Sequence, residues 1–157
     1  MTKIAVFVDV QNIYYTTKQA YAKSFDYRRF WQHLNDMGSI VIANAYAIDS
    51  DNEGQQRFQT ALRAIGFDVK LKPYIQRHDG SAKGDWDVGI TLDVVDAAPD
   101  VDRIVLLSGD GDFALLLDKV VKDHHVHTHV FGVPMLTARS LIKSANEFTE
   151  IGPDLLL

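Results

Sequence analysis

The chain contains no cysteine. That excludes disulfides, thiolate metal ligands and cysteine nucleophiles, and it favours a reducing, cytoplasmic compartment. Long apolar runs are missing too. The opening "MTKIAVFVDV" turns apolar after three residues and then meets Asp9. That is too short and too soon interrupted for a signal peptide or a spanning helix, so no membrane partner is expected. Repeats, low-complexity segments and linkers are absent. Positive charge is in deficit, with 16 Lys and Arg against 21 Asp and Glu and a net charge of −5. An acidic total argues against bulk polyanion binding but allows a local basic patch. The 157 residues, 46% hydrophobic and 24% charged, describe an ordinary globular protein, expected to form one domain over 1–157.

Apolar runs alternate with amphipathic stretches along the chain. "IAVFVD" is β-branched and aromatic throughout and reads as a buried strand of a parallel sheet. "SIVIANAYAID", "RIVLLS" and "VHTHVFGV" read as further strands, and the alternating "FDVKLKPYI" as a half-exposed strand near an edge. "DYRRFWQHLNDMG", "NEGQQRFQTALRAIG", "DWDVGITLDVVDAA" and "TARSLIKSANEF" read as helices, and "QRHDGSAKG" as a polar loop. The alternation predicts a three-layer α/β sandwich with a mostly parallel central sheet.

The stretch "SGDGDF" decides where chemistry is sought. Asp-Gly favours hairpin turns. Here, however, Phe113, Leu116, Leu117, Val120 and Val121 follow at helical spacing. The stretch therefore joins a strand to a helix, at the carboxyl edge of the sheet where ligands bind. Asp112 is equally placed to cap that helix or to hold a ligand. Asp110 has no capping explanation in this reading and is a functional candidate. Asp9 ends the most apolar strand, at the same edge. Asn12, three residues on, is placed to cap the following helix.

Asp87 falls on the face of its helix that carries Ile90, Val94 and Ala98, opposite Asp85, Asp93 and Asp96. An inward carboxylate is costly unless a positive group meets it. Asp93 and Asp96 read as a solvated face. Asp9, Asp87 and Asp110, with Asp112 unless it only caps its helix, are expected to converge on one edge if the strands bearing Asp9 and Asp110 are neighbours. Carboxylates without thiolates suit hard ions, Mg²⁺ or Mn²⁺, and the usual chemistry of such a set is phosphate ester hydrolysis.

The blocks "VFVDVQN", "KGDWDVGITLDVV", "LLSGDGDF" and "SANEF" resemble, in order and over nearly the whole chain, the NYN domains of the LabA-like branch of the PIN-like nucleases. The resemblance implies a PIN-like (Rossmann-like) fold, a divalent-metal site and endoribonuclease activity on single-stranded or structured RNA. By position it assigns Asp9, Asp87, Asp110 and Asp112 as the catalytic and metal-binding acids. Asn12 and Ser108 match its polar positions and, with Lys83, are the candidate substrate contacts. This chain departs from the family pattern twice. "KGDWD" is one residue longer than the usual Lys-Gly-x-Asp, and Asn146 stands where an Asp is common. If that acid served the site, its loss would lower metal affinity.

Lys70, Lys72, Arg77, His78 and Lys83, with Tyr74 among them, could form a single-stranded path. Alternating lysines also protect sheet edges, which is the competing account of Lys70 and Lys72. His127 and His129 share a strand face and read as satisfied strand histidines rather than a zinc site. A non-catalytic RNA- or partner-binding module is the alternative function, and a homo-oligomer is compatible with the sequence. A haloacid-dehalogenase-like phosphatase ranks lower, because Gln11 stands where its general acid belongs. A dinucleotide site lacks its third glycine.

Overall fold

A computed structural model describes residues 1–49, 51–73, 75–76, 82–83 and 85–157, with only the backbone of 73, 75, 76, 82 and 83. Tyr74, Arg77, His78 and the Lys83 side chain lie outside the described residues. The element order is β1 (Lys3–Asp9), α1 (Val10–Tyr21), α2 (Tyr27–Met37), β2 (Ser39–Asp49), α3 (Glu53–Ile65) and β3 (Asp68–Pro73). Two short strands, β4 (Ile75–Gln76) and β5 (Ala82–Lys83), pair antiparallel where the end of a strand and a polar loop were expected. Then follow α4 (Asp87–Ala97), β6 (Arg103–Leu107), α5 (Ala114–His124), β7 (His127–Gly132), α6 (Arg139–Ser144) and β8 (Glu147–Glu150).

Six strands form one sheet in the order β3-β2-β1-β6-β7-β8, every pair parallel. Strand alternation divides the core. Ile4, Val6 and Val8 of β1 face a layer that includes Ile13, Phe30, Leu34 and Leu62 of α1, α2 and α3. Ala5 and Phe7 face Ile90, Val94, Leu117, Val120 and Leu141 of α4, α5 and α6. The architecture is thus the three-layer sandwich expected from the alternation.

The chain winds from β1 outward through β2 and β3, then returns to β6 and winds the other way. β1 and β6 are therefore central neighbours, paired up to Val8 and Leu107. Their carboxyl ends form the switch point at which open α/β sheets bind ligands.

The last helix is shorter than its sequence pattern suggests. α6 stops at Ser144, and Glu147–Glu150 adds an edge strand on β7. Asn146 fixes this turn. Its Oδ1 accepts from the Thr128 backbone N–H at 2.9 Å, and its own N–H donates to Thr128 Oγ1 at 3.0 Å. Thr128 is the second residue of β7, so Asn146 sits at the amino edge of the sheet, away from the acids. Its departure from the family pattern removes nothing from the site.

The same amino edge holds the histidines. Arg103 Nη1 donates to His129 Nδ1 at 3.0 Å and to Glu147 Oε1 at 3.1 Å. The His129 proton then lies on Nε2, which donates to Thr149 Oγ1 at 2.7 Å. His127 pairs with Glu147, and His129 stacks on Phe131 at 4.3 Å. These are satisfied strand histidines, as read from the sequence.

Burial pushes the His129 pKa down to about 4, with Arg103 adding to the shift and Glu147 opposing it. The unfolded chain therefore binds this proton more tightly. The stability that neutral His129 contributes is complete above about pH 6.5 and is lost as pH falls toward about 4. Wild type should melt above His129→Gln at neutral pH, and the gap should narrow across that window. A constant gap in thermal unfolding would count against the assignment.

Candidate metal centre

Three of the four predicted acids meet. Asp9, Asp87 and Asp110 each present a carboxylate oxygen, all within 4.8 Å of one another. Asp9 is the last residue of β1, Asp87 the first of α4, and Asp110 lies in the turn after β6. Asp112 is outside this group, with an exposed side chain.

Hydrogen bonds lock the acids in place. Ser108, fully buried, donates from Oγ to Asp9 Oδ2 at 3.0 Å and accepts from the Asp110 N–H at 3.2 Å. Asn12 Oδ1 accepts from the Gly109 N–H at 2.9 Å, tying α1 to the β6–α5 loop. Asn12 lies inside the first turn of α1, which begins at Val10, so it clasps a neighbouring loop rather than capping its own helix. Ser108 and Asn12 thus orient the site from beneath.

The capping roles are the reverse of those read from the sequence. Asp110 accepts from the Asp112 N–H at 2.9 Å and caps a 3-10 turn, Gly111–Phe113, that leads into α5. One Asp110 oxygen is spent locally; the group still reaches the cluster. Gly109 belongs here because a Cβ would lie 2.7 Å from the Leu136 carbonyl oxygen.

Asp87 is set by a scaffold that sequence reasoning missed. Trp86, just before it, donates from Nε1 to the Ala47 carbonyl of β2 at 2.8 Å and packs on Tyr46. Lys72 Nζ donates to the Asp85 carbonyl at 2.9 Å and lies 4.7 Å from the Trp86 ring centroid. Asp93 is not on a solvated face. Its Oδ2 accepts from Tyr46 Oη at 2.7 Å and pairs with Lys70 at 3.3 Å. Lys70 and Lys72 therefore tie α4 and its lead-in to β3, while Tyr46 and the Ala47 carbonyl tie them to β2. The only sequence signal for this was an indole adjoining an inward-facing acid.

Electrostatics mark the cluster as deficient in positive charge. Burial, the Asp110 charge and a hydrogen bond to Asp110 push the Asp87 pKa up to about 7, with Asp85 and Asp9 adding to it. Burial raises Asp9 as well, against the Ser108 hydrogen bond. The donor set is all carboxylate oxygen, which fits a hard divalent cation. Asp9, Asp87 and Asp110 are the residues that would hold it.

The family model of the NYN domain matches residues 3–152. The chain belongs to the NYN domain family. Low amplitude and bright protein LabA of Synechococcus elongatus is 27% identical over 158 aligned positions, covering 96% of this chain and 84% of that protein. A crystal structure of a protein of unknown function from Vibrio parahaemolyticus superposes with a TM-score of 0.95 at 53% identity. It matches 99% of this chain and 96% of its own. Membership in the NYN family sets the phosphatase reading aside.

The raised Asp87 pKa has a stability consequence. The folded state binds this proton more tightly than the unfolded chain does. The favourable contribution is present below about pH 4 and is lost as pH rises through about 7. In chelator, Asp87→Asn should melt higher than wild type at about pH 8, by a few degrees, and the gap should close toward about pH 4. A variant no more stable than wild type at the higher pH would show that the carboxylates do not strain the fold.

Proposed function

We propose that this NYN domain is a divalent-metal-dependent nuclease that hydrolyses RNA phosphodiester bonds. The observation that carries the reading is the meeting of Asp9, Asp87 and Asp110 at the β1/β6 switch point. Bound Mg²⁺ or Mn²⁺ would neutralise charge on the phosphate and activate water.

The chain's own residues prepare this. Asp9 and Asp110 are presented in fixed orientation by Ser108, whose donor and acceptor are both engaged. Asp87, which keeps its proton up to about pH 7, is the acid that must release one when a cation loads. The N-termini of α1, α4 and α5 all point to this edge and favour negative charge there, on carboxylate and substrate phosphate alike. Asp112, exposed beside the cluster, is placed to act on substrate or solvent rather than as a core ligand.

The test is cleavage of single-stranded and structured RNA with Mg²⁺ or Mn²⁺. Asp9→Asn and Asp110→Asn should each lose on the order of a hundredfold or more, and Asp112→Asn less than about tenfold. Cleavage unchanged in both of the first two variants would overturn the reading. RNA bound but never cut by wild type would identify a binding module instead.

A further inference from the structure

A cavity of about 1020 Å³ opens beside the acid cluster, on the α1 face of the sheet. Its wall begins where the cluster ends. Val10 and Gln11 follow Asp9 directly, and Ala47 follows Tyr46, the register partner of Asp9. The volume is at the upper end of the roughly 300–1,000 Å³ that holds a drug-sized ligand, so a nucleoside has room to spare.

The lining is largely apolar and aromatic, with Asp49 and Asp51 its only charged side chains among the described residues and Gln11 and Gln55 its amides. Phe25 and Tyr27 form a buried floor, with ring centroids 4.8 Å apart. Tyr14 and Tyr15 stand at the rim, 51% and 60% exposed and edge to face at 5.4 Å. Asp49 and Asp51 complete the wall, and among the described residues no Lys or Arg lines it. Lys18 sits outside, over the Tyr14 ring at 5.9 Å.

These features select among the parts of a nucleotide. Carboxylates repel a phosphate, so the backbone is kept out of the cavity and left to the acid cluster and its cation. The π-face of a base stacks on a tyrosine whatever the base. The edge of the base decides the rest. An ionised carboxylate only accepts hydrogen bonds. Guanine alone presents two adjacent N–H donors on its Watson–Crick edge, matching the two oxygens of one carboxylate. Uracil offers one N–H flanked by two carbonyls, which a carboxylate repels. Adenine and cytosine set an amino group beside an acceptor nitrogen.

We infer that this groove is a base subsite, selective for guanine, for a nucleotide adjoining the phosphate that is cut. The inference rests on reading the acid cluster as a phosphodiester site, and it adds the side on which the strand lies and the base it prefers.

The test separates the two. Binding is measured by fluorescence anisotropy in Mg²⁺ with the Asp110→Asn protein. The probes are hexauridylate, the same oligomer with one internal guanosine or inosine, and guanosine monophosphate. The guanosine oligomer should bind on the order of tenfold tighter than hexauridylate, and inosine, lacking the second donor, should lose most of that gain. Asp49→Asn with Asp51→Asn should abolish the preference and leave hexauridylate binding intact or improved. Tyr14→Ala should weaken every oligomer roughly ten- to a hundredfold. No base preference, or no effect of Tyr14→Ala, overturns the subsite even if wild type cleaves RNA. A guanosine preference that depends on these residues sustains it even if wild type cleaves nothing. Guanosine monophosphate binding as tightly as the oligomer would make this a free-nucleotide site and overturn its link to a strand.

Discussion

Mutual repulsion among Asp9, Asp87 and Asp110 is the constraint around which this molecule is arranged. Two unit charges 4 Å apart repel by roughly 4 kcal/mol at an effective dielectric of about 20. A helix N-terminus offsets only about 0.3–1 kcal/mol per charge. Three such termini meet the acids here, yet burial, with the Asp110 charge adding to it, still raises the Asp87 pKa. The acids stay together because the strands and helices bearing them are held by much larger burial. β1 is buried on both faces from Ile4 to Val8, and Ile90 and Val94 anchor α4 with no exposed surface. The core supplies the stability that the cluster costs, a division of labour common at functional sites.

That constraint explains the supporting hydrogen bonds. A loop free to move would separate Asp9 from Asp110. Ser108 bonds to both, and Asn12 fastens the intervening Gly109 to α1. On the other side, α4 would drift outward without Trp86 on Ala47 and Lys70 on Asp93. The polar contacts around the site are better understood as restraints on repelling charges than as substrate contacts.

The sequence carried the parts of this that depend on local pattern. Continuous apolar runs located the β1 and β6 strands, which are buried on both faces, and helical spacing located the helix after "SGDGDF". Helical geometry alone turned Asp87 inward. It failed where partners are distant in the chain. The adjacency of β1 and β6 depends on winding order, which no local pattern encodes. Asp110 rather than Asp112 caps the turn, because a 3-10 turn precedes α5 and shifts the cap by two residues. β8 was hidden because "EFTE" is four residues long and follows a helical stripe; its place is fixed by Asn146 on Thr128, 18 residues away. Asp93 looked solvated because its partners, Tyr46 and Lys70, come from other strands.

The lysines show how structure redirects a functional argument. By charge and spacing, Lys70 and Lys72 suited either a path for a polyanion or the protection of a sheet edge. In the fold they are occupied, one by Asp93 and one by the Asp85 carbonyl and the Trp86 ring. Freeing either for a phosphate would loosen the helix that positions Asp87, so binding there would work against the site it serves. On the opposite flank, α1 offers exposed tyrosines and an acidic wall directly after Asp9. If the chain acts on RNA as proposed, that flank suits an acidic protein better than the lysines do. Under the proposed function the cluster would meet the phosphate through a cation, and the groove would meet the base, which carries no charge.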